Sequence, residues 1–122
     1  MDKTTFKILT LPQWEALQAR GEFAGSAHDI RDGFIHLSGG AQLQGTLDKH
    51  YTYAAMGGAD LILAAVDAAA LGSALKYEVS RGGAKFPHLY GPLPRSAVVR
   101  HWVLQSGEEG RYDASNLLTD II

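Results

Sequence analysis

LILAAVDAAALGSALKYEV, residues 61–79, decides the fold class. Leu61 to Val66 is apolar at six consecutive positions, the pattern of a strand covered on both faces. Asp67 to Gly72 reads as a short helical turn or loop. Leu75-Lys76-Tyr77-Glu78-Val79 then alternates, with Leu75, Tyr77 and Val79 facing one way and Lys76 and Glu78 the other. Downstream, Arg81-Gly82-Gly83 is a turn and Phe86 to Tyr90 a short extended segment. Gly91-Pro92-Leu93-Pro94 closes that segment, its prolines forbidding helix and restricting pairing. Val98 to Leu104 is rich in β-formers and reads as a final strand.

Working back from residue 61, Gly57-Gly58 is a break. Ala41 to Tyr53 has helical spacing, with Leu43, Leu47, His50 and Tyr51 on one face. Gly33 to Ser38 reads as a strand after the Asp32-Gly33 turn signal, and Glu22 to Asp32 as a loop. Phe6 to Leu9 is a first strand. Thr10 is placed as an N-cap, Pro12 just inside the helix that follows, and Gly21 as its stop. Trp14 and Leu17 share that helix's buried face. The order β-α-β-α-β-β-β-β, helices early and strands late, is not the alternation of a doubly wound fold. It predicts an α+β domain: a curved, mostly antiparallel sheet or a split pair of sheets, with two helices packed on it.

The chain has 122 residues, enough for one domain over 1–122, with a core at 1–105 and a polar tail at 106–122. Leu117-Leu118 and Ile121-Ile122 give the tail an apolar end that could dock. With no cysteine, disulfides, thiolate nucleophiles and cysteine-based metal centres are excluded. The net charge is −2 and the Lys and Arg residues are scattered, which argues against duplex nucleic acid as a partner. No signal peptide is visible, and the run at 61–66 is far too short for a bilayer. A cytoplasmic protein without a membrane partner is expected.

The residues suited to chemistry fall in two segments. Alternation puts Phe34, His36 and Ser38 on one face of the strand at 33–38, and Phe86, His88 and Tyr90 on one face of the segment at 86–90. Imidazole exchanges protons near neutral pH, so His36 and His88 are the candidate catalytic centre. A single strand histidine is more often a core residue satisfied by a backbone carbonyl; two in such segments shift the balance towards a shared site. The pairs His36-x-Ser38 and His88-x-Tyr90 could present two imidazoles and two hydroxyls to one phosphate. Glu78 is the carboxylate to test, either stabilising charge on a sugar carbon or pairing with Lys76 or Arg81 as an ordinary surface charge. Arg81 and Lys85 are loop cations that could meet a phosphate. His28, His50 and His101 look unremarkable. No two histidines stand at i, i+4 and no carboxylate cluster accompanies them, so no metal is expected.

The motifs Asp32-Gly33-Phe34-Ile35-His36-Leu37-Ser38 and Phe86-Pro87-His88-Leu89-Tyr90-Gly91-Pro92-Leu93 together resemble the signature of a mainly bacterial domain family of unknown function. Trp14, Gly21 and Glu78 match it as well, and the resemblance runs from Phe6 to about Leu104. That family is in turn similar to the ADP-ribosyltransferase fold. The resemblance implies a split, mostly antiparallel β-sandwich with a nicotinamide-nucleotide cleft between its sheets, and NAD or a related nucleotide as substrate. It also implies that Gly33 to Ser38 stands at the second cleft strand and Phe86 to Tyr90 at the strand that carries the catalytic glutamate in those enzymes. The chain departs from them at two points. Phe6-Lys7-Ile8-Leu9 lacks the expected histidine or arginine, and His88 stands where a carboxylate is expected.

Three functions follow as expectations. The first is a nucleotide-metabolite binder or transferase-like enzyme, with His36, His88 and Glu78 catalytic and Phe34, Ser38, Tyr90 and Arg81 holding the ligand. The second is a two-histidine phosphoesterase. The third is a non-catalytic interaction module.

Overall fold

The computed structural model describes residues 3–107 and 110–114, with Ala54 and Arg81 described by their backbone alone. The protein is α+β, and every strand pairing among the described residues is antiparallel. One three-stranded sheet places β4 (Leu61–Asp67) between β1 (Thr4–Thr10) and β8 (Val98–Leu104). A second places β6 (Lys85–Leu89) between β3 (Ile35–His36) and β5 (Leu75–Val79). β2 (Glu22–Phe23) and β7 (Leu93–Pro94) form a two-stranded ribbon.

The unbroken apolar run at 61–66 has the expected cause. β4 is the middle strand, buried along six residues, and it feeds both cores. Ile62, Ala64 and Val66 pack with Leu9, Trp14, Leu17 and Ile35. Leu61, Leu63 and Ala65 pack on the other face with Phe6, Ile8, Leu43 and Leu47.

The α1 helix (Leu11–Arg20) has the predicted ends. Thr10 and Gln13 form a capping box, and Gly21 closes the helix in the left-handed region at φ 78°. The α3 helix (Leu43–His50) is shorter than the periodicity at 41–53 suggested; a 3₁₀ turn precedes it and Tyr51 ends it. The helices exceed the expected two. α2 (Ala27–Asp32) and β2 lie within the span read as a loop, and the short α4 (Tyr53–Met56) and α5 (Ala68–Leu71) are further additions. The α2 helix exists because Ser26 and Asp29 cap each other: Ser26 Oγ accepts from Asp29 N at 3.1 Å, and Asp29 Oδ2 accepts from Ser26 N at 2.9 Å.

The strand expected over 33–38 pairs with β6 only at Ile35 and His36. Leu37 N still donates to Pro87 O at 3.1 Å, but Pro87 has no N–H to return the bond. The chain therefore leaves β6, and Ser38 exchanges both backbone bonds with Phe6 of β1, at 2.8 and 2.9 Å. This switch stitches the two sheets together beside β1. Of the tail, residues 106–107 and 110–114 are described. Tyr112 and Ala114 are buried against α3, and Arg111 pairs with Asp48 there. Leu117-Leu118 and Ile121-Ile122 lie outside the described residues. No described helix is long and apolar enough to cross a membrane.

Candidate functional site

The two histidine segments meet. His36 and His88 are register partners across β3 and β6, their ring centroids are 5.9 Å apart in an edge-on arrangement, and both line one cleft of about 320 Å³. Its walls come from β1, α2, β3, the end of α3, and β6. Tyr51 donates to Ile8 O at 3.5 Å, and burial together with the Asp29 charge pushes its phenol up to about 12.

Alternation explains the rest of the face. Phe34 stacks on His88 with centroids 4.0 Å apart and leans on Tyr90 at 5.4 Å. Lys76 Nζ lies 5.4 Å from the Tyr90 ring centre. Glu78 Oε1 is 2.9 Å from His88 Nδ1 and accepts from Tyr90 OH at 2.6 Å. The Tyr90 hydroxyl, then His88, hold the Glu78 carboxyl below its ordinary range, and the same bond pushes the Tyr90 phenol up. Glu78 is thus partnered by two residues of the predicted site rather than standing as a lone surface charge. His88 is only 5% exposed, and its Nε2 makes no hydrogen bond among the described residues.

His36 is held by carboxylates on both sides. Its Nδ1 is 2.6 Å from Asp29 Oδ1, which also accepts its backbone N–H at 3.1 Å, and its Nε2 is 2.9 Å from Asp32 Oδ2. Asp29 is 2% exposed and pairs with Lys7, itself 5% exposed, at 3.0 Å; Lys7 also donates to His36 O at 3.0 Å. Burial alone would push the Asp29 carboxyl up. The His36 bond, the Lys7 ammonium and two backbone N–H groups outweigh it and hold that carboxyl well below the usual range. Burial likewise pushes the Lys7 ammonium down against the pull of Asp29.

Of the other predicted residues, Ser38 Oγ bonds Thr46 Oγ1 at 3.0 Å on the cleft wall, while Phe34, Tyr90 and Glu78 sit behind His88 rather than against the cleft. Only the backbone of Arg81 is described, so its ligand-binding assignment lies outside the described side chains. Lys85 is exposed and does not line the cleft. Sequence reasoning missed Lys7, Asp29, Asp32 and His28. The signals were present: Ser26-Ala27-His28-Asp29 is a capping box, and Thr5, Lys7 and Leu9 share the inner face of a strand.

The family model described as "Protein of unknown function (DUF952)" matches residues 8–101. No curated protein matches the chain. Among solved structures, the chain is similar to protein CC0527 from Caulobacter crescentus. The crystal structure of that protein is 45% identical over 95% of this chain and 98% of that one, with a TM-score of 0.87. A crystal structure of its double mutant gives 44% identity, the same coverage and 0.87. Its solution structure gives 44% identity over 95% and 97% of the two chains, and 0.81. With residues 8–101 of its 122 matched by the family model, the chain belongs to the DUF952 family.

Proposed function

We propose that the cleft binds one nucleotide-sized metabolite and that His88 moves a proton on it. The observation that carries this reading is the shared cleft: two cross-strand imidazoles, each backed by a carboxylate, open onto about 320 Å³. That volume is at the small end of the roughly 300–1,000 Å³ of small-molecule sites. It suits a single nucleoside, or one nucleoside end of a longer ligand, better than an entire dinucleotide.

The chemistry of His88 follows from its partner. Glu78 beside Nδ1 favours the tautomer with its hydrogen there, leaving the Nε2 electron pair as base. Ser38 and Thr46 supply hydroxyls at the wall. The resemblance to ADP-ribosyltransferases supports NAD or ADP-ribose as the ligand class and a transferase-like step, within a fold of that kind; Lys7 rather than histidine or arginine on β1 speaks for altered chemistry. The 5.9 Å between rings also favours the phosphoesterase reading, although the Tyr90 hydroxyl it requires is bonded to Glu78.

Titration of NAD, ADP-ribose and 2′-phosphorylated nucleotides, by calorimetry and by ligand-shifted melting, tests the reading. Binding of one of them, weakened at least about tenfold by His88→Ala, is expected. No binding at about 1 mM of any ligand rejects it. Hydrolysis of a cyclic nucleotide phosphate that disappears in both His36→Ala and His88→Ala selects the phosphoesterase.

A further inference from the structure

His28, Asp32 and His36 bring three donor atoms to the rim of the cleft. His28 Nε2 is 3.2 Å from Asp32 Oδ2, and His36 Nε2 is 2.9 Å from the same oxygen. The three atoms lie within 4.8 Å of one another. The spacing is simple: His28 and Asp32 stand one turn apart on α2, and Gly33, left-handed at φ 86°, turns the chain so that β3 returns His36 to the same spot. We propose that His28, Asp32 and His36 form a binding site for a divalent first-row transition cation, with Asp29 as the carboxylate that orients His36.

The geometry around His36 supports this beyond the clustering itself. Its Nδ1 faces the buried Asp29 carboxylate at 2.6 Å, so the ring hydrogen belongs on Nδ1 and the Nε2 electron pair points at Asp32 Oδ2. An electron pair and a carboxylate oxygen 2.9 Å apart make a seat for a cation. The His28 ring stacks on His36 with centroids 4.3 Å apart and brings its Nε2 to the same oxygen. One dication held between the three donor atoms would satisfy both rings and the carboxylate together. An imidazole whose other nitrogen is held by a carboxylate is the usual arrangement of a metal-ligating histidine.

The donor set names the class. Two imidazoles and a carboxylate, with no thiolate anywhere in the chain, suit zinc, cobalt, iron or nickel rather than calcium or copper(I). Metal–ligand bonds of about 2.0–2.2 Å require the donors to sit about 3.3 Å apart, and both His28 and Asp32 are exposed enough to adjust. Three protein ligands would leave the cation a position for water or substrate, and two of them, His28 and His36, also line the cleft. The cation would also supply a positive charge to the cleft, where the buried Lys7 is already paired with Asp29. The inference goes beyond the nucleotide reading and does not rest on it.

The test uses the full chain, stripped with chelator and desalted. ZnCl₂ is titrated by calorimetry, and CoCl₂ by visible absorption, without any nucleotide. One equivalent with micromolar or tighter affinity is expected, about 10⁻⁶ M or below. Asp32→Asn and His28→Ala should each weaken zinc at least about tenfold and erase the cobalt spectrum, since even an outer partner is worth that much. His101→Ala, a histidine outside the cluster, should change nothing. Both cluster variants alter exposed side chains, and melting temperature confirms that they fold. Absence of saturable zinc uptake below about 1 mM overturns the proposal, as does equal affinity in wild type, Asp32→Asn and His28→Ala. Failure to bind nucleotide leaves the zinc titration untouched, so the two readings fail separately.

Discussion

His36 and His88 face each other across two paired strands, yet the molecule holds them in opposite ways. His36 is tied to a buried carboxylate. Asp29 caps α2, accepts two bonds from His36 and neutralises Lys7, all from beneath the sheet face. His88 is the buried member of its own pair; its carboxylate, Glu78, is the more exposed partner and, among the described residues, is hydrogen-bonded by Tyr90 and His88. Among the described residues, one ring is braced at both nitrogens and the other at Nδ1 alone. Substitutions on the buried Asp29–Lys7 side of His36 should therefore damage the fold, and those around His88 should damage binding or chemistry while sparing the fold.

The largest effect belongs to Asp29. Asp29→Leu leaves the Lys7 ammonium buried with no counter-charge and removes an α2 cap, so it should cost about 4 kcal/mol in urea denaturation. Lys7→Met keeps the cap and leaves Asp29 its His36 bonds, and should cost less, about 2–3 kcal/mol. The double variant should recover part of the loss, because an apolar pair replaces a desolvated ionic one. A strictly additive result would mean that Lys7 and Asp29 are not coupled. The pH dependence has a definite sign. Asp29's carboxyl is depressed in the folded state, so its stabilisation is full above the unfolded value near 4 and is lost as pH falls. In Lys7→Met, with chelator present to exclude metal, the folded carboxyl is held less low, so the loss should be smaller and complete at higher pH. An acid limb identical to wild type would break the proposed difference between the two histidine pairs.

The next effect separates the rings by function. His88→Ala should weaken the nucleotide ligand of the cleft at least about tenfold, and His88→Gln should keep most of the stability without restoring any turnover. His36→Ala should lower the melting temperature more than His88→Gln does, because it strips a partner from Asp29. If His88→Gln proves the less stable of the two, the assignment of brace and proton carrier is reversed.

Legibility in the sequence followed the same division. Alternation alone aligned Phe34, His36 and Ser38 with Phe86, His88 and Tyr90, because a strand side chain's face depends only on its own chain. Alternation was equally sufficient for β5, as β-forming composition was for β8 and capping residues for the ends of α1, where local pattern and final structure agree. The Asp29 brace was hidden for a physical reason. It joins Lys7, Asp29 and His36 through contacts 22 and 7 residues apart in sequence, and each residue read alone is an ordinary surface type. The His28–Asp32–His36 cluster escaped because the search was for paired histidines on a helix, whereas here a histidine and an aspartate share the helix and the second histidine returns after a glycine turn. The early end of β3 was also out of reach. It depends on Pro87, on the neighbouring strand, lacking an N–H on the side that faces β3.

The smallest effect sharpens the comparison from the exposed side. Tyr90→Phe removes the hydroxyl that donates to Glu78 Oε1 and leaves the His88 contact in place. The folded Glu78 carboxyl, now held low chiefly by that hydroxyl, should titrate closer to its ordinary value, which carboxyl carbon shifts in an NMR pH series would report. The linkage has the same sign as for Asp29: the depressed carboxyl favours the fold above its unfolded value near 4.3 and loses that advantage on acidification. Its solvent exposure keeps the consequence small, so the melting temperature should stay within about 2 °C of wild type at neutral pH. Ligand affinity should fall less than in His88→Ala, since Tyr90 reaches the cleft only through Glu78 and His88. A Tyr90→Phe protein that unfolds as readily as Lys7→Met would show that both histidines are structural braces, and the asymmetry on which their separate roles depend would be gone.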